Sequence, residues 1–325
     1  MTEYARTVTK NNSDKEFPLY QVITFLLLGY LAFLFLAFWF FVNEKPVVKG
    51  QLNQVKLINS SEINGAKGIV LDRKGNIYVA DSRNDRVLMI TPGGRTGRVF
   101  GGKKGKQGEE LKYPTSVSIH KEYLWVGSYG TGKILVYNNR GDVIRVLPRK
   151  DDRQNLPAIY PLAMTSDKEG NLYVADGKKH RIAVFNSDGK LQLIFGEQGH
   201  LDGQLKHVNG IALDEDNRQL IVLDAGNSRI VFYNLEGKFL KEFSLQDREK
   251  NNILAGRGLT FNPSTGYIYI TEAMLDKILA FDREGKIIAS SPNLGLKIPY
   301  GIAFGPDGYL YVTQKEEGKI NVLNP

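Results

Sequence analysis

The chain has 325 residues, 42% of them apolar and 24% charged, with a formal net charge of +8. That composition supplies a sizeable core and excludes a disordered polyelectrolyte. The absence of cysteine excludes a disulfide framework and any thiolate metal site. Residues 1–19 form a polar tail in which Arg6, Lys10 and Lys15 balance Glu3, Asp14 and Glu16. From Tyr20 to Val42 no residue is charged. At about 1.5 Å per residue this run is long enough to cross roughly 30 Å of hydrocarbon, which predicts a transmembrane helix. A cleaved signal peptide would have a shorter apolar core and a small-residue cleavage site, whereas this run ends in Phe38-Trp39-Phe40-Phe41. Tyr20 and Trp39 fall where interfacial aromatic anchors belong. The expected partner of residues 20–42 is therefore the lipid bilayer. The flanking charges are nearly even, and the short basic tail sets the expectation of a cytoplasmic N-terminus and an extracytoplasmic C-terminal domain.

Residues 43–53 read as a linker with Pro46 and Gly50. Beyond it a unit typified by Tyr160–Gly189 recurs. An apolar segment, a polar Asp/Asn/Gly turn, an alternating strand, a short loop and a further strand opening on a cation predict an antiparallel sheet. The second strands read IYVAD (77–81), LWVGS (124–128), LYVAD (172–176), LIVLD (220–224), IYITE (268–272) and LYVTQ (310–314), with starts 42 to 48 residues apart. Third strands open at Arg86, Lys133, Arg181, Arg229, Lys277 and Lys319. Four-stranded repeats at this spacing belong to β-propellers rather than helical solenoids, so the fold class is an all-β, six-bladed propeller over residues 54–325. The first five repeats carry a fourth strand and the sixth does not. Residues 54–59, with Val55–Ile58 at their centre, are expected to supply it and close the ring.

The segments GIVLDRKGNIYVADSRNDRVLMI (68–90), VNGIALDEDNRQLIVLDAGNSRIVFY (208–233) and PYGIAFGPDGYLYVT (299–313) resemble NHL repeats, and the resemblance implies a six-bladed propeller. Repeat two departs most, with Ser116 in place of the usual Gly and Ser128 in place of the usual Asp. Some members of that family bind RNA on a basic face. NHL-type lyases hold a metal through histidines from several blades. Here the four histidines, His120, His180, His200 and His207, are scattered, and no Ser-His-Asp or calcium-loop spacing is present. No metal, cofactor or catalytic residue is therefore assigned, and a metal-dependent lyase or lactone hydrolase is the rival reading.

The acid closing a second strand stands five residues before the cation opening the third, in Asp81 and Arg86, Asp176 and Arg181, Asp224 and Arg229, and Glu272 and Lys277. Recurrence at equivalent places marks these as blade-building pairs rather than catalytic ones. The Gly-rich stretches 100–108 and 195–205 lack the helix and the Lys-Ser/Thr of a phosphate loop and read as blade connectors. Residues just before each repeat's Gly position, Lys67, Thr115, Pro161, Asn209, Arg257 and Tyr300, differ from blade to blade and should face the channel rim. Two cations beside Asn209 and Tyr300 suit an acidic or peptide-like ligand. Basic residues gather at Arg95, Arg98, Lys103, Lys104, Lys106 and Lys112, so nucleic acid becomes a candidate partner only if the propeller is cytoplasmic. The expectation is a membrane-anchored, non-enzymatic scaffold for a protein or other ligand.

Overall fold

A computed structural model describes residues 27–34, 51–102, 109–148, 158–245 and 256–325. The chain divides into two units, Met1–Val47 and Val48–Pro325. In the first, residues 27–34 are helical, and the rest of the predicted 20–42 span lies outside the described residues. Among the described residues no helix is long and apolar enough to cross a membrane.

The second unit is a six-bladed propeller whose described residues form 24 strands in six four-stranded sheets. β1 (Asn53–Asn59) comes first. Blade one is β2 (Ala66–Leu71), β3 (Ile77–Asp81), β4 (Arg86–Ile90) and β5 (Thr96–Gly101), and blade two is β6 (Pro114–His120), β7 (Tyr123–Ser128), β8 (Lys133–Tyr137) and β9 (Val143–Leu147). Blade three is β10 (Pro161–Ser166), β11 (Leu172–Asp176), β12 (Arg181–Phe185) and β13 (Leu191–Phe195), and blade four is β14 (Val208–Asp214), β15 (Gln219–Asp224), β16 (Arg229–Asn234) and β17 (Phe239–Ser244). Blade five is β18 (Gly256–Asn262), β19 (Tyr267–Glu272), β20 (Lys277–Phe281) and β21 (Ile287–Ser290), and blade six adds β22 (Pro299–Phe304), β23 (Leu310–Gln314) and β24 (Lys319–Asn324). β1 pairs antiparallel with β24, Asn53 opposite Asn324 and Asn59 opposite Lys319, as the outer strand of that sheet. The N-terminal strand thus enters at the end of the ring opposite the blade connectors.

The alternation of the second strands explains the stacking. In β15, Leu220 and Val222 face blade three, while Ile221 and Leu223 face blade five, and all four are fully buried. Each buries about 2 kcal/mol of apolar side chain, and a lone sheet could cover only one of its two faces. Six buried clusters result, one at each blade interface. One aliphatic side chain from each connector plugs its cluster: Ile63, Leu111, Ile159, Leu205, Leu245 and Leu296. The innermost strands β2, β6, β10, β14, β18 and β22 touch in succession and form the ring around the axis.

Glycine marks the tightest point of that ring. A Cβ on Gly301 would lie 2.2 Å from the Lys67 carbonyl oxygen, and one on Gly258 2.3 Å from that of Tyr300. Gly68 and Gly210 face the next inner strand at 2.8 Å. The repeat's glycine therefore answers backbone approach between neighbouring blades. On the outside, cations of outer strands reach the turn carbonyl of the following blade: Arg98 donates to Arg140, Arg145 to Ser187 (2.7 Å), Lys241 to Arg283 (2.8 Å) and Lys56 to Pro92 (3.2 Å).

Candidate functional site

In five blades the residue closing the second strand clamps a connector. Asp81 Oδ1 accepts the Asn64 N–H at 2.7 Å, Asp176 Oδ1 that of Tyr160 at 3.2 Å and Asp224 Oδ1 that of Lys206 at 2.6 Å. Where the acid is missing the bond persists, with Ser128 Oγ accepting from Lys112 and Gln314 Oε1 from Lys297. The second carboxylate oxygen takes the cation of the third strand: Arg86 Nε at 2.7 Å, Arg181 Nε at 3.2 Å and Arg229 Nε at 2.8 Å. Arg229 also donates to the connector carbonyls of His200, Leu201 and Gln204. Glu272 lies in register with Lys277 and accepts the Met274 N–H at 2.9 Å. These groups hold loop to strand.

The inner-strand register aligns Ala66, Pro114, Pro161, Val208, Gly256 and Pro299. The rim position is the next residue, which is Lys67, Thr115, Asn209, Arg257 and Tyr300 in five blades. In blade three it is Leu162 rather than Pro161, a correction that arises because Leu162-Ala163-Met164 has no glycine to set the count. Two rim residues stitch blades together: Thr115, buried, donates to the Pro161 carbonyl, and Asn209 Nδ2 donates to that of Gly256 at 2.8 Å. The channel they surround has a volume of about 70 Å³. Small-molecule sites usually need roughly 300–1,000 Å³, so a ligand can place only a small group inside and must rest on the mouth.

At that mouth the remaining rim residues converge. Lys67 is 7% exposed, with its Nζ 4.3 Å from the centre of the Tyr113 ring and 4.9 Å from that of Tyr300. Burial, with Lys315 and Arg257 nearby, lowers its pKa to about 8. Both neighbouring charges that act on it are cations. Tyr300 is pushed up by burial, against the opposing effect of Arg257, and also senses Tyr113 and Tyr129. A second box stands beside the first: Lys178 Nζ lies 3.6 Å from the centre of the Tyr160 ring and 5.9 Å from that of Tyr129, and these two rings meet edge-on at 5.7 Å. Lys178 and Tyr129 lie in loops between second and third strands, and Tyr113 and Tyr160 end connectors. The rim count from the repeat misses these four. Their sequence signal is local: YGTG (129–132) and GKKH (177–180) stand where other blades carry SRND or AGNS.

His180 and His207 pack edge-on at 4.8 Å, and the His207 N–H donates to His180 Nδ1 at 3.1 Å. Burial, then His207, lowers the His180 pKa. Among the described residues no group of three or more His, Asp or Glu is placed to hold a metal ion. The 195–205 connector folds back through a Gln198–Leu205 bridge and feeds β14, not a helix. Of the basic cluster, Lys103, Lys104 and Lys106 lie outside the described residues, and Arg98 is engaged with the Arg140 carbonyl.

The family described as DUF5128, a 6-bladed beta-propeller, matches residues 151–264. "Protein brain tumor" of Drosophila melanogaster is 28% identical over 138 residues, a match covering 42% of this chain and 13% of that protein. These likenesses support an NHL-type propeller. Among solved structures, a streptogramin B lyase superposes with a TM-score of 0.59 at 16% identity, covering 83% of this chain and 96% of that one. A gluconolactonase from Xanthomonas campestris gives 0.62 at 14% identity over 81% and 87% of the two chains. A chain of a nidogen/laminin complex gives 0.62 at 18% identity over 76% and 87%. At these identities the likeness is one of fold, shared by enzymes and binding proteins alike.

Proposed function

We propose that this chain is a membrane-anchored NHL-type propeller that acts as a non-enzymatic scaffold, docking a protein partner on the channel mouth. The observation that carries the reading is the contrast between frame and mouth. The acid clamp, the rim glycine and the connector plug recur around the ring, whereas Lys67, Arg257 and Tyr300 occupy equivalent places with unlike chemistry. Repeated positions build blades, and divergent ones at a shared opening are where specificity resides. The chargeless stretch 20–42 supports a single-pass anchor with the propeller outside the cytoplasm. A partner protein also suits the narrow channel, because a macromolecule binds across the rim. A nidogen/laminin complex shows that a propeller of this shape occurs in a protein assembly.

The test is purification of the full chain from detergent-solubilised membranes, with identification of what accompanies it. Wild-type protein should retain a stoichiometric partner that the Lys67→Ala/Arg257→Ala double variant loses while keeping its melting temperature. A partner retained equally by both refutes the mouth as the docking site. Recovery of the chain in the alkaline-washed soluble fraction refutes the anchor.

A further inference from the structure

Cations on a protein surface are commonly neutralised by a carboxylate, as Arg83 is by Glu316 at 2.9 Å and Lys297 by Glu317 at 2.7 Å, both on the connector-bearing face. Lys67 and Lys178 are handled differently. Each is held over tyrosine rings, Tyr113 and Tyr300 for the first and Tyr129 and Tyr160 for the second. A ring quadrupole attracts a cation and leaves its charge uncancelled. At the mouth two positive groups are thus fixed in place, with Lys67 more than nine-tenths buried and Arg257 and Lys315 adding to its field. Such a site attracts an anion that is not part of the chain, and low-dielectric walls strengthen the attraction.

The size and surroundings of the site select the kind of anion. The channel below the mouth, lined by Thr115, Asn209, Arg257 and Tyr300, holds only about 70 Å³, so the anion is received at the mouth rather than engulfed. Around the mouth, Glu316 and Glu317 occupy the loop after β23, and Asp85 and Asp276 accept the backbone N–H groups of Tyr113 and Ile298. A nucleic-acid strand needs a continuous track of cations for its successive phosphates, which these acids interrupt, whereas two separated carboxylates need only the two boxes. A peptide with separated carboxylates can place one at each boxed lysine and lay its backbone against the tyrosines between.

Resting on the docking site proposed above, we infer that the channel mouth is a receptor for an acidic peptide segment, one carboxylate being received by Lys67 and a second by Lys178. The ligand brings the counter-ions that the boxes lack among the described residues. The probes are acetyl-tetraglutamate amide, its tetraglutamine counterpart and a uridine decanucleotide, titrated calorimetrically into the full chain in detergent at pH 7 and low salt. Tetraglutamate should bind at least tenfold more tightly than tetraglutamine and than the oligonucleotide. Lys67→Gln and Lys178→Gln should each weaken it about fivefold or more, Lys67→Arg should recover most of the loss, and Lys238→Gln, on the opposite face, should change nothing. Lys178 is exposed in a loop, so its variant tests the idea even where Lys67→Gln lowers the melting temperature. Equal binding of tetraglutamate and tetraglutamine, unchanged binding in Lys178→Gln, or tighter binding of the oligonucleotide overturns the inference. If a co-purified partner is lost in the Lys67/Arg257 variant but tetraglutamate fails to bind, the docking site stands and the acidic-peptide reading falls.

Discussion

Replacing Asp224 by alanine should be among the most damaging single changes on the connector-bearing face, and the geometry gives its size. The carboxylate is fully buried and receives three donors: the Lys206 N–H at 2.6 Å, Asn227 Nδ2 at 2.7 Å and Arg229 Nε at 2.8 Å. Its partner Arg229 is itself 8% exposed at the side chain, so water cannot replace the lost anion. Removing one member of a buried pair costs about 3–5 kcal/mol, because the other charge is stranded. Glu242, at 2.5 Å from Arg229 Nη1, offsets part of that loss and points to the lower half of the range. For a domain of this size each kcal/mol lowers Tm by about 2–4 °C, so a fall on the order of 8 °C is expected by circular dichroism. Asp81→Ala should cost less, since Arg86 is 22% exposed. Glu236→Ala, whose pair with Arg218 is 64% and 71% exposed, should lie within about 0.5 kcal/mol of wild type. An Asp224→Ala protein melting within 2 °C or so of wild type would refute the clamp argument.

Deleting residues 53–59 uncovers the edge of β24 and removes Ile58 from the blade six–blade one cluster, so the protein should melt much earlier and associate on gel filtration. Gly301→Ala drives a Cβ to 2.2 Å from the Lys67 carbonyl, which also accepts Thr313 Oγ1 at 2.7 Å, and should destabilise by several kcal/mol in chemical denaturation. Gly93→Ala, with its nearest neighbour at 3.9 Å, should be close to neutral. The lowered pKa of Lys67 means that between about 8 and 10.5 the unfolded chain holds a proton there that the folded chain has released. That term therefore raises stability as pH rises through this window, and Lys67→Gln should flatten the rise in a pH series of melting temperatures. Loss of the same proton should weaken tetraglutamate binding above pH 8.

The strand pattern was open to reading because period-two alternation records directly which side chains enter each blade interface, as Leu220, Ile221, Val222 and Leu223 do. The acid five residues before a cation was equally readable, since both partners sit on one hairpin. What the linear pattern concealed depends on neighbouring blades. The connector plugs Leu111 and Leu205 lie just after and at the end of glycine-rich stretches without periodicity, and their partners come from the sheets on either side. The outer cations Arg145 and Lys241 bond a carbonyl of the following blade, an acceptor that any residue type provides. Blade three lost its rim register for want of a glycine, which displaced Leu162 by one place.

The mouth was half legible, for a physical reason. Lys67, Arg257 and Tyr300 were marked by their failure to match one another, a signal internal to the repeat. One pairing at the mouth is fixed by closure: Tyr300 reaches Lys67 because the last inner strand lies beside the first, and Thr313 Oγ1 in turn bonds the Lys67 carbonyl across the same seam. The seam between blades six and one therefore lies where the propeller's first and last strands close the ring and positions the most buried cation of the opening. A change that loosens this closure, such as loss of β1, should reach the mouth by freeing Tyr300 from Lys67. Raising the Lys67 pKa toward its ordinary value is the measurable consequence, and a lysine titration unchanged by removal of β1 would show that the seam and the mouth are independent.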